Sequence, residues 1–152
     1  STLVRPEQFE YLFHEDLETR DLSVTEELPE TFRAMDRARV RICLVGHSHL
    51  PVVFTPDCRP VRLSFGNLSE FAVSHYNRRL VACVGAVGQP RGVISGSDEN
   101  PLADAYRACY VLLDDTMLTF RRVSYNVQTT VDKIFANPEI PDYLGERLLR
   151  GE

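Results

Sequence analysis

The sequence has a single lysine, no cysteine pair at Cys-x-x-Cys spacing, no stripe of basic residues and no long apolar run. Each shortage removes a class of function. No segment of the 152 residues approaches the roughly eighteen apolar residues of a membrane span, so a soluble globular chain without a membrane partner is expected. Of the 17 basic side chains only Lys133 is a lysine, and the arginines are scattered. With a formal net charge of -5 they make no track for a nucleic-acid backbone. An anionic substrate would therefore need help from a metal.

Cys43, Cys58, Cys83 and Cys109 are far apart, and at least two lie in apolar strand-like runs. That pattern predicts buried free thiols in a reducing compartment. The opening stretch STLVRPEQFEYLF has no basic start leading into an apolar run, so no secretory signal is expected and the predicted location is cytoplasmic. On that expectation the sequon Asn67-Leu68-Ser69 is a chance match.

What is present is enough for one domain. Hydrophobic residues make up 43% and charged residues 26%, the balance of an ordinary globular core and surface. No repeat interrupts the chain. TEELPETFRAMDRA predicts a first helix, with Phe32, Met35 and Ala38 at three-residue spacing, acidic residues at its start and Pro29 in its first turn. Ile42 to Val45 reads as a strand covered on both faces. PVVFTPDCRPVRLSF holds two short strands about the Pro56-Asp57 turn, and RRLVACVGAVG is a third strand entering a glycine-rich loop. RACYVLLDD and MLTFRRVSY predict a hairpin turning near Asp115 and Thr116. NVQTTVDKIFA follows as a helix capped by Asn126, and IPDYLGERLLRG as a terminal helix started by Pro141 and stopped by Gly151. The predicted class is α/β (α+β), a layered sandwich of sheet and helix.

The chemistry-bearing stretch is ICLVGHSHLPVVF, where Gly46-His47-Ser48-His49 ends an apolar run before Pro51. If the strand continued through it, His47 and His49 would face one side with Cα atoms about 6.6 Å apart. That span suits one shared ion, or two ions set about 3.5 to 4 Å apart. Gly46 would allow an unusual backbone angle or a close approach. Imidazole must be neutral to bind, so occupancy should fall below about pH 6.5. The tetrapeptide alone leaves a second reading open, a solvated strand end without metal. His14 and His75 read as surface or loop residues, and no second motif at ligand spacing is present.

VGHSHLP, followed by VGAVGQPR, YVLLDD, TFRRVSYNV and PDYLGERLLRG, resembles the C-terminal half of a calcineurin-like metallophosphoesterase. It is similar in particular to the small bacterial and archaeal phosphodiesterase branch, and Glu10-Tyr11-Leu12-Phe13 resembles a segment preceding the last motif there. The resemblance implies a four-layer αββα sandwich. It also implies two divalent ions, among manganese, iron, zinc and nickel, bridged by a hydroxide that attacks a phosphodiester or phosphomonoester. His47 would ligate the second metal and His49 the first, neither acting as acid or base. Gln89 and Arg91 match the family's loop and would contact the substrate phosphate or pin the loop.

The family's Asp-x-His, Gly-Asp and Gly-Asn-His motifs, and a lone histidine in a His-Gly segment, have no counterpart here. Gly66-Asn67-Leu68 lacks the histidine and follows the Gly-His-x-His motif, so it takes no ligand role. The catalytic residues are then expected in an N-terminal half outside this chain, with Ser1 near the place of the lone histidine. Residues 1–152 would form one domain or the second part of one, inactive alone. Cys83-Val84-Gly85-Ala86-Val87-Gly88 also lacks the asparagine and hydroxyl that usually precede the Gln-Pro-Arg loop, which puts a substrate contact from Ala86 in doubt. The alternative is a scaffold that keeps this fold without catalysis, presenting TFRRVSYNV and the polar loop around Asp98 to a protein partner. A cupin-like His-x-His site would require a glutamate soon after the pair, and LPVVFTPDC has none.

Overall fold

The computed structural model describes residues 11–16, 21–62, 70–89 and 107–150. Its elements in order are β1 (Phe13–Glu15), β2 (Leu22–Val24), α1 (Glu27–Ala38), β3 (Ile42–Val45), β4 (Pro51–Phe54), β5 (Pro60–Arg62), β6 (Glu70–Ser74), β7 (Leu80–Val84), β8 (Ala108–Leu113), β9 (Met117–Val123), α2 (Val127–Phe135) and α3 (Tyr143–Arg150). The mixed α+β class expected from the sequence is what forms. Among these residues no helix is long and apolar enough to cross a membrane.

Strand alternation builds the layers. The main sheet runs β3-β7-β4-β5, with β3 parallel to β7 and the other pairs antiparallel. Successive side chains on a strand point to opposite faces, so β4 and β7 each supply two cores. Val52, Phe54, Val81 and Cys83 join Leu28, Phe32 and Met35 of α1 and Leu12 and Phe13 of the β1–β2 hairpin. Val53, Leu80 and Ala82 meet Leu118 and Phe120 of the second sheet, ordered β6-β9-β8. Helix and hairpin, sheet, and sheet therefore stack in that order.

Helix α1 places Leu28, Thr31, Phe32 and Met35 inward at helical spacing and ends where Arg39 turns left-handed, φ 56°. It begins at Glu27 rather than at Thr25. Thr25 is engaged elsewhere: its hydroxyl donates to the Tyr11 carbonyl at 2.7 Å. Strand β3 departs from the expectation of cover on both faces. It lies at the edge of its sheet among the described residues, and while Ile42 packs against the second sheet, Leu44 on the same side is 46% exposed. The hairpins β1–β2 and strand β6 carried no usable sequence signal, the first two being only three residues each.

The β8–β9 hairpin turns where expected. The Asp114 carboxylate accepts from the Thr116 and Met117 backbone amides at 2.7 and 2.8 Å. His75, read as a surface or loop residue, does lie in the loop after β6 but is not superficial: it is 2% exposed and closes this turn. Its backbone amide donates to the Thr116 carbonyl at 2.9 Å and its Nε2 to the Asp114 carbonyl at 2.9 Å. A carbonyl can only accept, so Nε2 carries the proton. All four cysteines are free, Cys43 and Cys83 buried and Cys58 and Cys109 partly so.

Asn126 caps α2 by accepting from the Thr129 amide at 3.1 Å, as the sequence predicted. Helix α3 begins at Tyr143, just after Pro141; Gly151, the expected stop, lies outside the described residues. Gly145 of α3 sits under the Phe135 ring of α2, where a β-carbon would lie 2.6 Å from Cε1.

Two outcomes are expected. Gly145→Ala should gain about 1 kcal/mol of helix propensity in a Phe135→Ala background and be at least about 1 kcal/mol less favourable when the ring is present. Urea unfolding of the four proteins reads that coupling, and additive effects would contradict it. The Asp114 carboxyl is held below its ordinary range, chiefly by the Thr116 and then the Met117 amides. A depressed carboxylate contributes stability above its unfolded value, about 3.9, and loses it as pH falls through the lower folded value. Asp114→Asn keeps an acceptor but not the titration, so the gap in melting temperature between it and the natural protein should narrow on acidification below about pH 3.9.

Candidate metal centre at the ends of two parallel strands

Because β3 and β7 run parallel, their carboxyl ends open on the same side of the sheet. The histidine loop leaves one and the glycine-rich loop leaves the other. Ligand sites of α/β sheets lie outside such strand ends.

The histidines do not continue β3. That strand stops at Val45, and the Ser48 amide donates back to the Gly46 carbonyl at 3.0 Å. His47 lies between them with φ 76°, the positive angle of the rare and strained γ-turn. His49 follows at φ 63°, also left-handed. The unusual angles expected of Gly46 thus fall on the two imidazole-bearing residues, while a β-carbon at Gly46 would meet nothing within 4 Å. A strained angle at a non-glycine residue costs on the order of 1 to 3 kcal/mol, and such residues cluster at ligand sites. The strand geometry that would have put both rings on one face does not apply. A turn delivers them instead.

His49 is half-buried, and its Nδ1 contacts the Gln89 backbone carbonyl. Since the carbonyl is an acceptor, Nδ1 holds the proton and Nε2 keeps its lone pair. Ligand histidines commonly have this arrangement, one nitrogen bound to a carbonyl so that the other is fixed for the metal. His47 is exposed, and the Tyr11 ring lies against it with centroids 4.3 Å apart and planes at 34°. Below the loop, the Cys83 Sγ lies 3.9 Å from the Gly46 carbonyl, and burial pushes this thiol up in pKa against weaker hydrogen-bonding pulls from Gly85 and Ser48. Cys83 therefore stays a thiol that packs.

The glycine-rich loop is held at several points. The Cys109 amide donates to the Ala86 carbonyl at 2.8 Å, and the Tyr125 hydroxyl to the Gly88 carbonyl at 3.3 Å. The Gln89 side-chain amide donates to the Leu144 carbonyl of α3 at 3.3 Å. Gln89 thus supports His49 through its backbone and ties the loop to α3 through its side chain. Gly85 has φ 88°, and a β-carbon there would lie 2.8 Å from the Cys109 β-carbon. Here glycine is required by angle and by space together.

His47, His49 and Gln89 are brought together. Arg91, Asn67 and the loop around Asp98 lie outside the described residues. His14 is exposed on β1 and His75 is far off in its hairpin turn role, although the Tyr11 ring stands 5.5 Å from that of His14. Among the described residues no group of three His, Cys, Asp or Glu side chains converges to hold a metal ion. The donor chemistry of His49 fits a metal as one member of a ligand set. Tyr11 was noted in the sequence only within the segment Glu10-Tyr11-Leu12-Phe13, since nothing in local spacing links it to a loop beyond α1 and β3.

No known protein family and no curated protein matches the chain in sequence. In structure it is similar to a metallophosphoesterase from Sphaerobacter thermophilus, with a TM-score of 0.64 and 26% identity. The match covers 82% of this chain and 47% of that one, so the chain spans about half of its neighbour's length. The fold is that of a metallophosphoesterase over the matched part.

Gly85→Ala should destabilise the protein by about 2 to 4 kcal/mol, combining left-handed strain with overpacking. Cys109→Ala should not rescue it, because the nearest obstructing atom is the β-carbon that alanine retains. Rescue in thermal unfolding would show that the close approach is not the constraint.

Proposed function

We propose that the intact protein is a dinuclear metallophosphoesterase acting on small phosphodiesters or phosphomonoesters, to which this chain contributes His47 and His49. The observation that carries the reading is the state of His49: its Nδ1 is committed to the Gln89 carbonyl, which leaves Nε2 as a free, oriented donor. Support comes from the similarity to a metallophosphoesterase and from the position of both histidines at the carboxyl ends of parallel strands.

In this reading His49 and His47 hold two different ions, whose identity among manganese, iron, zinc and nickel is a matter for metal analysis. The ions, when bound, supply Lewis-acid activation of water and of the phosphoester. The chain's own residues orient and pre-organise. Gln89 fixes the His49 tautomer and the γ-turn fixes the backbone under His47. Neither imidazole moves a proton. Arg91 would meet the anionic substrate, and Gln89 serves chiefly to hold the loop. The remaining ligands and catalytic residues would come from polypeptide outside residues 1–152, in keeping with the 47% share of the neighbour that the chain spans.

The test is hydrolysis of bis-p-nitrophenyl phosphate with manganese, by the 152-residue chain and by a form extended at its N-terminus. The chain alone should show little turnover. In the extended form His47→Ala or His49→Ala should lower the rate at least about 100-fold. Strong metal-dependent turnover by the chain alone would overturn the incomplete-site reading. An extended form without bound transition metal would instead favour a non-catalytic scaffold with this fold.

A further inference from the structure

We propose that Tyr11 is a positioning residue for His47, fixing the imidazole in the one orientation in which it can serve a metal. The proposal rests on the reading of His47 as a ligand. His47 stands exposed at the apex of a strained turn. A ligand that must first be ordered binds more weakly than one already held. The Tyr11 ring lies against it at 4.3 Å between centroids, a stacking distance for aromatic rings.

Tyr11 can do this because its own backbone is tied down. Its carbonyl accepts from the Thr25 hydroxyl at 2.7 Å, and the next carbonyl, of Leu12, accepts from the Thr25 amide at 3.0 Å. Leu12 and Phe13 are buried, and Phe13 packs on Phe54 of β4 with ring centroids 5.2 Å apart. A rigid path therefore runs from the main core through Leu12 and Phe13, with Thr25 as the brace, to the ring that faces His47. Thr25 lies just ahead of α1 and is free to act as that brace because the helix begins after it.

Two readouts test the proposal. The imidazole protons of His47 in NMR spectra of the metal-free chain report stacking, and zinc titration by calorimetry of a form extended at its N-terminus reports the ligand. Tyr11→Phe should leave both close to the natural protein. Tyr11→Leu should move the His47 ring protons toward free-histidine values and weaken zinc binding about 10-fold. Thr25→Val, which leaves the ring in place but removes the brace, should shift the same protons part of the way; it keeps the test decisive if Tyr11→Leu does not fold. Unchanged His47 resonances, or equal zinc affinity for Tyr11→Leu and Tyr11→Phe, would overturn the positioning role. If the extended form takes up no zinc while the His47 protons respond as expected, the ligand reading of His47 fails and the proposal with it.

Discussion

The close passage of Gly85 against Cys109 is the contact on which the rest depends. Strand β7 is the centre of the main sheet, with β3 on one side and β4 on the other, and it is buried on both faces. At its end the chain must turn toward the second sheet without lifting the two apart. A side chain at position 85 would strike the Cys109 β-carbon, so the sheets could not approach as they do. The next residue then secures the junction through the hydrogen bond from the Cys109 amide to the Ala86 carbonyl.

From that junction the loop continues to Gln89, and Gln89 reaches two elements at once. Its backbone carbonyl accepts a hydrogen bond from His49 Nδ1 and its side-chain amide donates to α3. The orientation of a candidate ligand is therefore coupled to the packing of the two sheets and the C-terminal helix. Left-handed angles at His47 and His49 are tolerated because the strand ends on either side, Val45 and Pro51, are fixed in the sheet. The core stabilises a strained turn, and the turn presents the imidazoles.

Much of the scaffold was legible in the sequence because burial writes itself in period. The continuous apolar runs PVVF and LVACV, the spacing of Phe32 and Met35, the Asn126 cap and the turn before Met117 all reflect local rules that survive into the fold, whereas Ala38, expected on the same helix face, is exposed at the end of α1. The short strands β1, β2 and β6 left no such trace, since three to five residues paired at a distance need no strong pattern of their own. His75 shows the same limit in reverse. A histidine among polar neighbours looked superficial, and only the pairing of β6 with β9 buried it against the Asp114 carbonyl.

The sequence by itself determined the chemistry available at residues 46 to 49: two imidazoles one residue apart, after a strand and before a proline. It also determined that glycine stands at position 85, where no other residue fits. Tertiary structure decided how those imidazoles are used. A turn rather than a strand carries them, the Gln89 carbonyl selects the His49 tautomer, and the Tyr11 ring stands against His47. The physical reason is distance along the chain. Hydrogen bonds and ring contacts between segments so far apart exist only after parallel strands have set their carboxyl ends side by side.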